Sequence, residues 1–472
     1  MSEKLVNSEP LERSKFKNPS RELGILPFWF WNGDLRYDEM EWQLKEYYDK
    51  GMPGFFIHSR FGLQVDYLSK EWFDRVKFVC EKAEEIGIEA WIYDEKNWPS
   101  GTAGWEVPRQ YPDLQQRYVQ MAILSVKGPF FTYLEGTDSR YIDLEKSEPV
   151  AAYAVRAEEF DGEIKEIIDL TPNICFEKII SWEAPPGEWK ILYFIERRAD
   201  YYIDALNPES TRKFIEMTHE KYKERVGKYF GNVVPGFYTD EPALHYFETG
   251  VDNYIIPWSK NMFKLFRQRN GYGLRKYLPA LFLNMGEKTS KVRLDFWQTV
   301  SEQYTKAYYK QLADWCHDNG LLFTGHLLFE DMLRLHARNE GNIFDHLKNL
   351  DIVGVDHLYP RIGTREMPEQ HVPSKIGSSA AHHFGSTRVL CESLGGTHWD
   401  VTMERMKWIA DWEYVLGINL FNPHGFHYSI EGERKRDWPP SQFYHHTWWK
   451  HYKRFNDYLT RNSYMLSGGK HV

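Results

Sequence analysis

The sequence predicts a (β/α)8 barrel of the TIM type, an α/β fold, with a β-rich module inserted after its third strand. Three observations lead there. Eight short apolar runs alternate with segments of helical period, the helices between them carry start and stop residues, and the helical period vanishes in one long internal stretch. At 472 residues the chain exceeds the roughly 250 of a plain barrel. One large domain with insertions accounts for the difference.

The runs span residues 25–31, 54–58, 88–93, 233–239, 321–326, 352–356, 388–392 and 418–424. Their near-continuous apolarity suits parallel strands covered by helices. The punctuation between them is specific. Ser69 caps a helix whose apolar positions Trp72, Val76, Val79, Ala83 and Ile86 step by four and three, and Gly87 ends it. Asn207 and Pro208 stand in Ncap and N1 order before Phe214, Thr218, Tyr222, Val226 and Phe230. A long helix over 292–316 closes at Asn319-Gly320, and Thr402 and Gly417 bracket the helix after the seventh strand.

Residues 116–198 lose this period. Runs such as YVQMAILSV, AAYAVRA and WKILYFIE alternate with Gly, Pro and Asp clusters, as inserted strands do. The expected organisation is a poorly ordered tail over 1–22, a barrel over 23–115 and 199–472, and a β-rich module over 116–198. A second, aromatic-rich expansion over 243–290 reads as helical and follows the fourth strand, where it would wall a pocket.

Composition excludes several function classes. Acidic residues outnumber Lys plus Arg by 68 to 59, and no basic stretch interleaves with aromatics, so nucleic acid is not an expected partner. The first residues lack an apolar leader and no run is long enough to span a bilayer. The four cysteines are far apart without CxxC spacing, which suits reduced thiols and a cytoplasmic location. The sequence is silent on oligomeric state. The 16% aromatic content suits sugar stacking but equally suits a large core.

Function in such barrels sits where strands end. Those ends read Trp31-Asn32, His58-Ser59-Arg60, Asp94-Glu95, Asp240-Glu241, His326, Asp356-His357, Glu392-Ser393 and His424, whereas the strand starts are mostly apolar or Gly. Glu241 and Glu392, after strands four and seven, form the leading pair. Two carboxyl groups flanking one bond are what glycoside cleavage needs: one protonates the leaving oxygen, the other acts at the anomeric centre. The plainer alternative makes them structural acids bridged to Arg60 or Arg388. Glu330, in GHLLFED, is a third catalytic candidate, or else a helix-start acid beside Asp331.

The candidate sugar contacts are Trp31, Asn32, His58, Arg60, Asp94, Glu95, Trp98, Tyr238, Asp240, His326, Asp356, His357, His424 and His427, which offer the donors and acceptors that hydroxyl groups require. For Asp94 and Glu95 the alternative is a hydrogen-bonded rim network. Several histidines invite a metal reading, but a hydrolytic metallo-barrel carries His-x-His after its first strand, and this chain has Trp31-Asn32 there and no HExxH. The chemistry requires no cofactor, and no metal ligands are assigned; a Ca²⁺ ion near the carboxylates fits better than a catalytic transition metal.

The segments PFWFWNG, GFFIHSRFGL, YLSKEWFD, WIYDEKNWPSGTAG, YIDALNPESTRKFIEMTHEKY and GFYTDEPA resemble the catalytic barrel of glycoside hydrolase family 106, best known as α-L-rhamnosidases. The resemblance implies exo-cleavage of a terminal sugar by inversion, an acid at Glu241 within TDEP, a base at Glu392 or Glu330, and often Ca²⁺ in the pocket. Family members usually continue into β-sandwich domains, whereas this chain stops at NSYMLSGGKHV, so a fragment, a truncation or a barrel-only relative is expected. Two other readings stand beside it. One is a retaining exo-glycosidase with Glu241 as acid/base and Glu392 as nucleophile, against which Asp240 replaces the Asn usual in that clan. The other is a carbohydrate-binding barrel without catalysis.

Overall fold

The computed structural model describes residues 11–134, 147–175, 178, 180–244 and 254–468. Its parallel strands run β1 (Phe28–Trp31), β2 (Gly54–Ser59), β3 (Glu89–Lys96), then, after a β excursion, β8 (Gly236–Asp240), β10 (Leu322–His326), β11 (Ile352–His357), β12 (Val389–Ser393), β13 (Leu420–Pro423) and β14 (Phe426–His427). Neighbours pair in the order β13-β12-β11-β10-β8-β3-β2-β1-β14. The predicted eighth strand is split in two. β13 pairs with β12 and β14 with β1, and the Leu26 amide donates to the Phe421 carbonyl at 3.0 Å, so the ring closes. The split falls at His424-Gly425, where a Cβ on Gly425 would lie 2.2 Å from the Phe30 ring. Only glycine lets β1 and the eighth strand approach so closely.

Alternation along the strands sorts side chains into two cores. Phe28, Phe30, Phe56, Trp91, Tyr93, Tyr238, Leu390 and Leu420 fill the barrel interior. Their neighbours Trp29, Trp31, Ile57, Ile92, Phe237 and Phe421 pack outward against the helices. Capping follows the sequence: the Ser69 hydroxyl accepts from the Trp72 amide, Asn207 from Glu209 and Thr402 from Arg405, while Gly87 and Gly417 close their helices with φ of 73° and 107°. The long helix expected over 292–316 runs from Lys288–Tyr304 through a π-helical turn, Thr305–Tyr309, into Lys310–Asp318. That turn brings the Tyr308 hydroxyl to 3.0 Å from Thr239 on β8.

The excursion after β3 forms a five-stranded antiparallel sheet of β4 (Gln115–Leu134), β5 (Ser147–Arg156), β6 (Ile167–Asp169), β7 (Ile180–Ile203) and β9 (Ile255–Trp258), ordered β6-β5-β7-β4-β9. It extends beyond the expected 116–198, because β9 comes from the expansion read as helical. That strand answers the open edge of β4, pairing from Arg117 with Trp258 to Gln120 with Ile255. Within the predicted tail, residues 1–10 lie outside the described residues. Residues 11–22 are not disordered: the helix Arg13–Lys17 sits by the helix Tyr452–Leu466, with the Glu12 amide donating to the Tyr464 hydroxyl at 3.0 Å. Three of the cysteines are buried and Cys175 is exposed, and no two of them are joined in a disulfide. Among the described residues no helix is long and apolar enough to cross a membrane.

Candidate active site

At the C-terminal mouth of the barrel lies a cavity of about 230 Å³, lined by Asp240, Glu241, His326, Asp356, His357, Glu392 and His424 from the strand ends, by Trp98 and Trp438 at the rim, and by the 328–332 and 358–359 segments. Parity explains its floor. Asp240, Asp356 and Glu392 lie an even number of residues beyond inward-facing Tyr238, Ile352 and Leu390, so their side chains continue the inner layer upward.

His326 is the hub. Its Nε2 stands 3.0 Å from Asp240 Oδ1 and 2.9 Å from Glu392 Oε2, and its Nδ1 lies 2.9 Å from the Leu327 carbonyl. Burial pulls this imidazole down, but Tyr238 and Asp240 outweigh it and set it well above its ordinary value. A proton on both ring nitrogens satisfies all three acceptors. Asp240 also accepts from the Tyr93 hydroxyl at 2.5 Å, and against its burial, His326, Tyr93 and Arg60 hold it below the usual carboxylate range. Asp240 is therefore an ionised anchor with both oxygens engaged.

Glu241 differs although it is the next residue. It lies just past the end of β8 with φ at 45°, which swings its side chain off the strand path and over the cavity. Burial, then the adjacent Asp240 charge, push its carboxyl up to about 8. Glu392 accepts from the Tyr238 hydroxyl at 3.3 Å and from His326, with His424 Nε2 3.9 Å from its other oxygen. Its carboxyl is raised by burial and by Asp240, while the His326 bond works the other way. The cavity thus brings together a carboxyl raised to about 8, Glu241, and a carboxyl that accepts from the His326 imidazole, Glu392.

Several expected residues lie elsewhere. Trp31 packs outward against Trp29 and Trp72 in the helix-facing core, and Asn32 spends both amide ends on the Ser429 backbone at 2.9 Å each. Asp94 also faces the helices, bonded to the Ser100 hydroxyl at 2.5 Å with His219 at 3.8 Å. Glu95 accepts from the amides of Lys96, Thr102, Ala103 and Gly104, so it builds the loop that carries Trp98 and stands outside the cavity lining. His58 stacks on Tyr93 at 3.6 Å beneath the cavity, and Tyr238 lies in the same layer. Glu330 is outside the cavity lining: it is buried behind His326, its Oε1 accepts from the Leu327 amide at 2.9 Å, and its Oε2 meets no partner. His427 is likewise withdrawn, 3.2 Å from the Asp437 carbonyl.

Arg60 does not reach the cavity either. It makes a two-pronged ion pair with Asp437, Nε to Oδ2 at 2.8 Å and Nη2 to Oδ1 at 3.0 Å, which anchors the loop presenting Trp438. Removing one partner of a buried pair leaves an uncompensated charge. Asp437→Asn is expected to lose about 3 to 5 kcal/mol of stability, read as a lower urea midpoint at unchanged m-value.

Sequence reasoning missed Asp437, Trp438, Tyr359 and the wall residues Leu328, Phe329 and Met332; the Tyr359 hydroxyl donates to Asp331 at 3.2 Å. One signal was available. Both rim indoles sit in Trp-Pro steps, Trp98-Pro99 and Trp438-Pro439.

Two groups have the make-up of a cation site, Asp240 with Glu241 and His326, and His326 with Glu330 and Asp356, each with ligand atoms within 4.8 Å of one another. In the first, Asp240 is already fully engaged. The second holds the orphaned Glu330 Oε2 and the cavity-facing Asp356, whose carboxyl is pushed well above its usual value by burial and then by Glu330. Glu330 and Asp356 bring oxygen donors of the type a hard cation such as Ca²⁺ takes, whereas the third member, His326, has both ring nitrogens engaged elsewhere.

Known proteins resemble this chain in sequence and in fold. A family model described as alpha-L-rhamnosidase, glycoside hydrolase family 106, matches residues 145–472. A Formosa agariphila protein named "Putative beta-glucuronidase" is 25% identical over 461 residues, which cover 86% of this chain and 37% of that protein. The solved rhamnosidase from Novosphingobium sp. PP1Y superposes with a TM-score of 0.71 at 17% identity, over 98% of this chain and 61% of that one. The chain thus spans about a third of the curated relative's length and about three fifths of the solved one.

Proposed function

The chain belongs to glycoside hydrolase family 106, and on that premise we propose that it removes a terminal sugar from a glycoside, α-L-rhamnosidase-like, by inversion, with Glu241 as general acid and Glu392 as base. The observation that carries this reading is the unequal environment of the two carboxyl groups around one cavity. Glu241, held protonated near neutrality, has a proton to give to the glycosidic oxygen. Glu392, oriented by Tyr238 and His326, takes one from a water on the far face of the sugar.

The other groups bind and orient. Asp240 and His326 fix the floor, Asp356, His357 and His424 offer hydrogen-bonding groups to sugar hydroxyls, and Trp98 and Trp438 offer indole faces at the rim. Glu330 is set aside as the base because the wall of the cavity does not include it. With Asp356 it would instead hold a Ca²⁺ ion, whose contribution when bound is to orient vicinal hydroxyls.

Initial rates on a panel of aryl glycosides including α-L-rhamnoside and β-D-glucuronide test the proposal. Turnover of α-L-rhamnoside that is lost in Glu392→Gln is expected. Binding of free sugar without turnover of any member would make the barrel a binding module.

A further inference from the structure

A second concavity lies outside the barrel mouth. It measures about 460 Å³, twice the catalytic cavity, and forms where β9 meets two helices, Lys288–Tyr304 and Leu333–Asn339. Arg293 and Trp297 stand four residues apart on the first helix, Arg334 and Arg338 four apart on the second, and Ile255 and Ile256 of β9 share the lining, with Arg338 Nη2 donating to the Ile255 carbonyl at 3.2 Å. Each helix therefore turns one i, i+4 pair into the same groove.

Its charge is one-sided. The described lining contains no acidic residue, and Arg293 and Arg334 form no ion pair with any described carboxylate. Arg293 is aimed by backbone instead, donating to the Ala280 and Leu283 carbonyls at 2.8 and 3.0 Å. Gathered like charges of this kind favour an anion, and guanidinium forks match carboxylate and sulfate oxygens. The Trp297 indole beside them offers the flat apolar face that sugar rings stack on. The position adds the connection to catalysis: the segment that walls the catalytic cavity through Met332 continues directly into the helix bearing Arg334 and Arg338.

We propose that this groove is an accessory subsite for an anionic glycan, a carboxylated or sulfated chain whose end enters the catalytic cavity. The inference rests on the glycosidase reading for its direction of travel but not for binding itself. A net charge of −9 makes general attraction to polyanions unfavourable, so retention of one points to a local site.

The test is affinity electrophoresis of the whole chain through polygalacturonate, dextran sulfate or uncharged dextran, beside turnover of a small aryl glycoside. Retardation by at least one polyanion and none by dextran is expected, weakening with added salt and falling about tenfold in Arg334→Glu. Trp297→Ala is expected to weaken it too, and aryl glycoside turnover stays unchanged in both variants. Preference for one polyanion over the other identifies carboxylate or sulfate as the ligand group. No retardation by either, or equal retardation of Arg334→Glu and the parent, overturns the subsite while leaving the catalytic reading intact. Arg334-dependent retardation in a chain that turns over no glycoside upholds the groove and removes the glycosidase reading.

Discussion

Glu392→Gln is expected to lower kcat by about 10² to 10⁴, whatever the leaving group. The amide keeps an oxygen for the Tyr238 hydroxyl and for His326, so the local bonds survive; what disappears is the capacity to take a proton from water. An aryl leaving group that departs readily does not relieve that loss, because the attacking water still needs its proton removed. Stopped assays on nitrophenyl and unactivated alkyl glycosides, with KM followed separately, measure it. Equal losses on both substrates with little change in KM are expected. A near-normal rate on either would move the base away from Glu392.

Glu241→Gln is expected to discriminate between the same substrates. For the alkyl glycoside the loss is again about 10² to 10⁴, and for an acidic phenol it shrinks, since such a group leaves without a proton. The pH profile carries the sign. Glu241 acts as an acid only while protonated, and with its carboxyl raised to about 8, activity is present below that pH and falls as pH climbs through it. In kcat/KM that alkaline limb belongs to the free enzyme, and the glutamine variant, having nothing to titrate, is expected to lack it. An alkaline limb unchanged in Glu241→Gln assigns the acid elsewhere.

Much of the fold was legible because barrel strands and helices announce themselves locally. Ser69, Asn207 and Thr402 cap helices for the same reason wherever they occur, and apolar runs bounded by such caps leave few other arrangements. The split eighth strand was not legible, because its cause is a long-range contact between Gly425 and Phe30. Nor was β9, whose pairing with β4 spans more than a hundred residues of chain.

The site was legible in outline, and two of its misplaced residues share one physical reason. Ending a strand places a residue at the mouth, but strand parity decides whether its side chain faces the cavity or the helices. Trp31 follows inward-facing Phe30 and so points out, and Asp94 follows inward-facing Tyr93 and does the same. Applying the two-residue period would have removed both. Arg60 escaped for another reason: its partner Asp437 lies 377 residues away along the sequence, and the pair is made only in the folded chain.

With Glu241 and Glu392 on opposite faces of one anomeric carbon and water attacking in a single step, hydrolysis inverts the anomeric centre. Proton NMR of the products in the first minutes of hydrolysis, before mutarotation mixes the anomers, reads the outcome. The first-formed sugar is expected to have the anomeric configuration opposite to that of the substrate. A first-formed sugar that keeps the substrate's configuration would contradict it and make Glu392 a nucleophile in a two-step reaction.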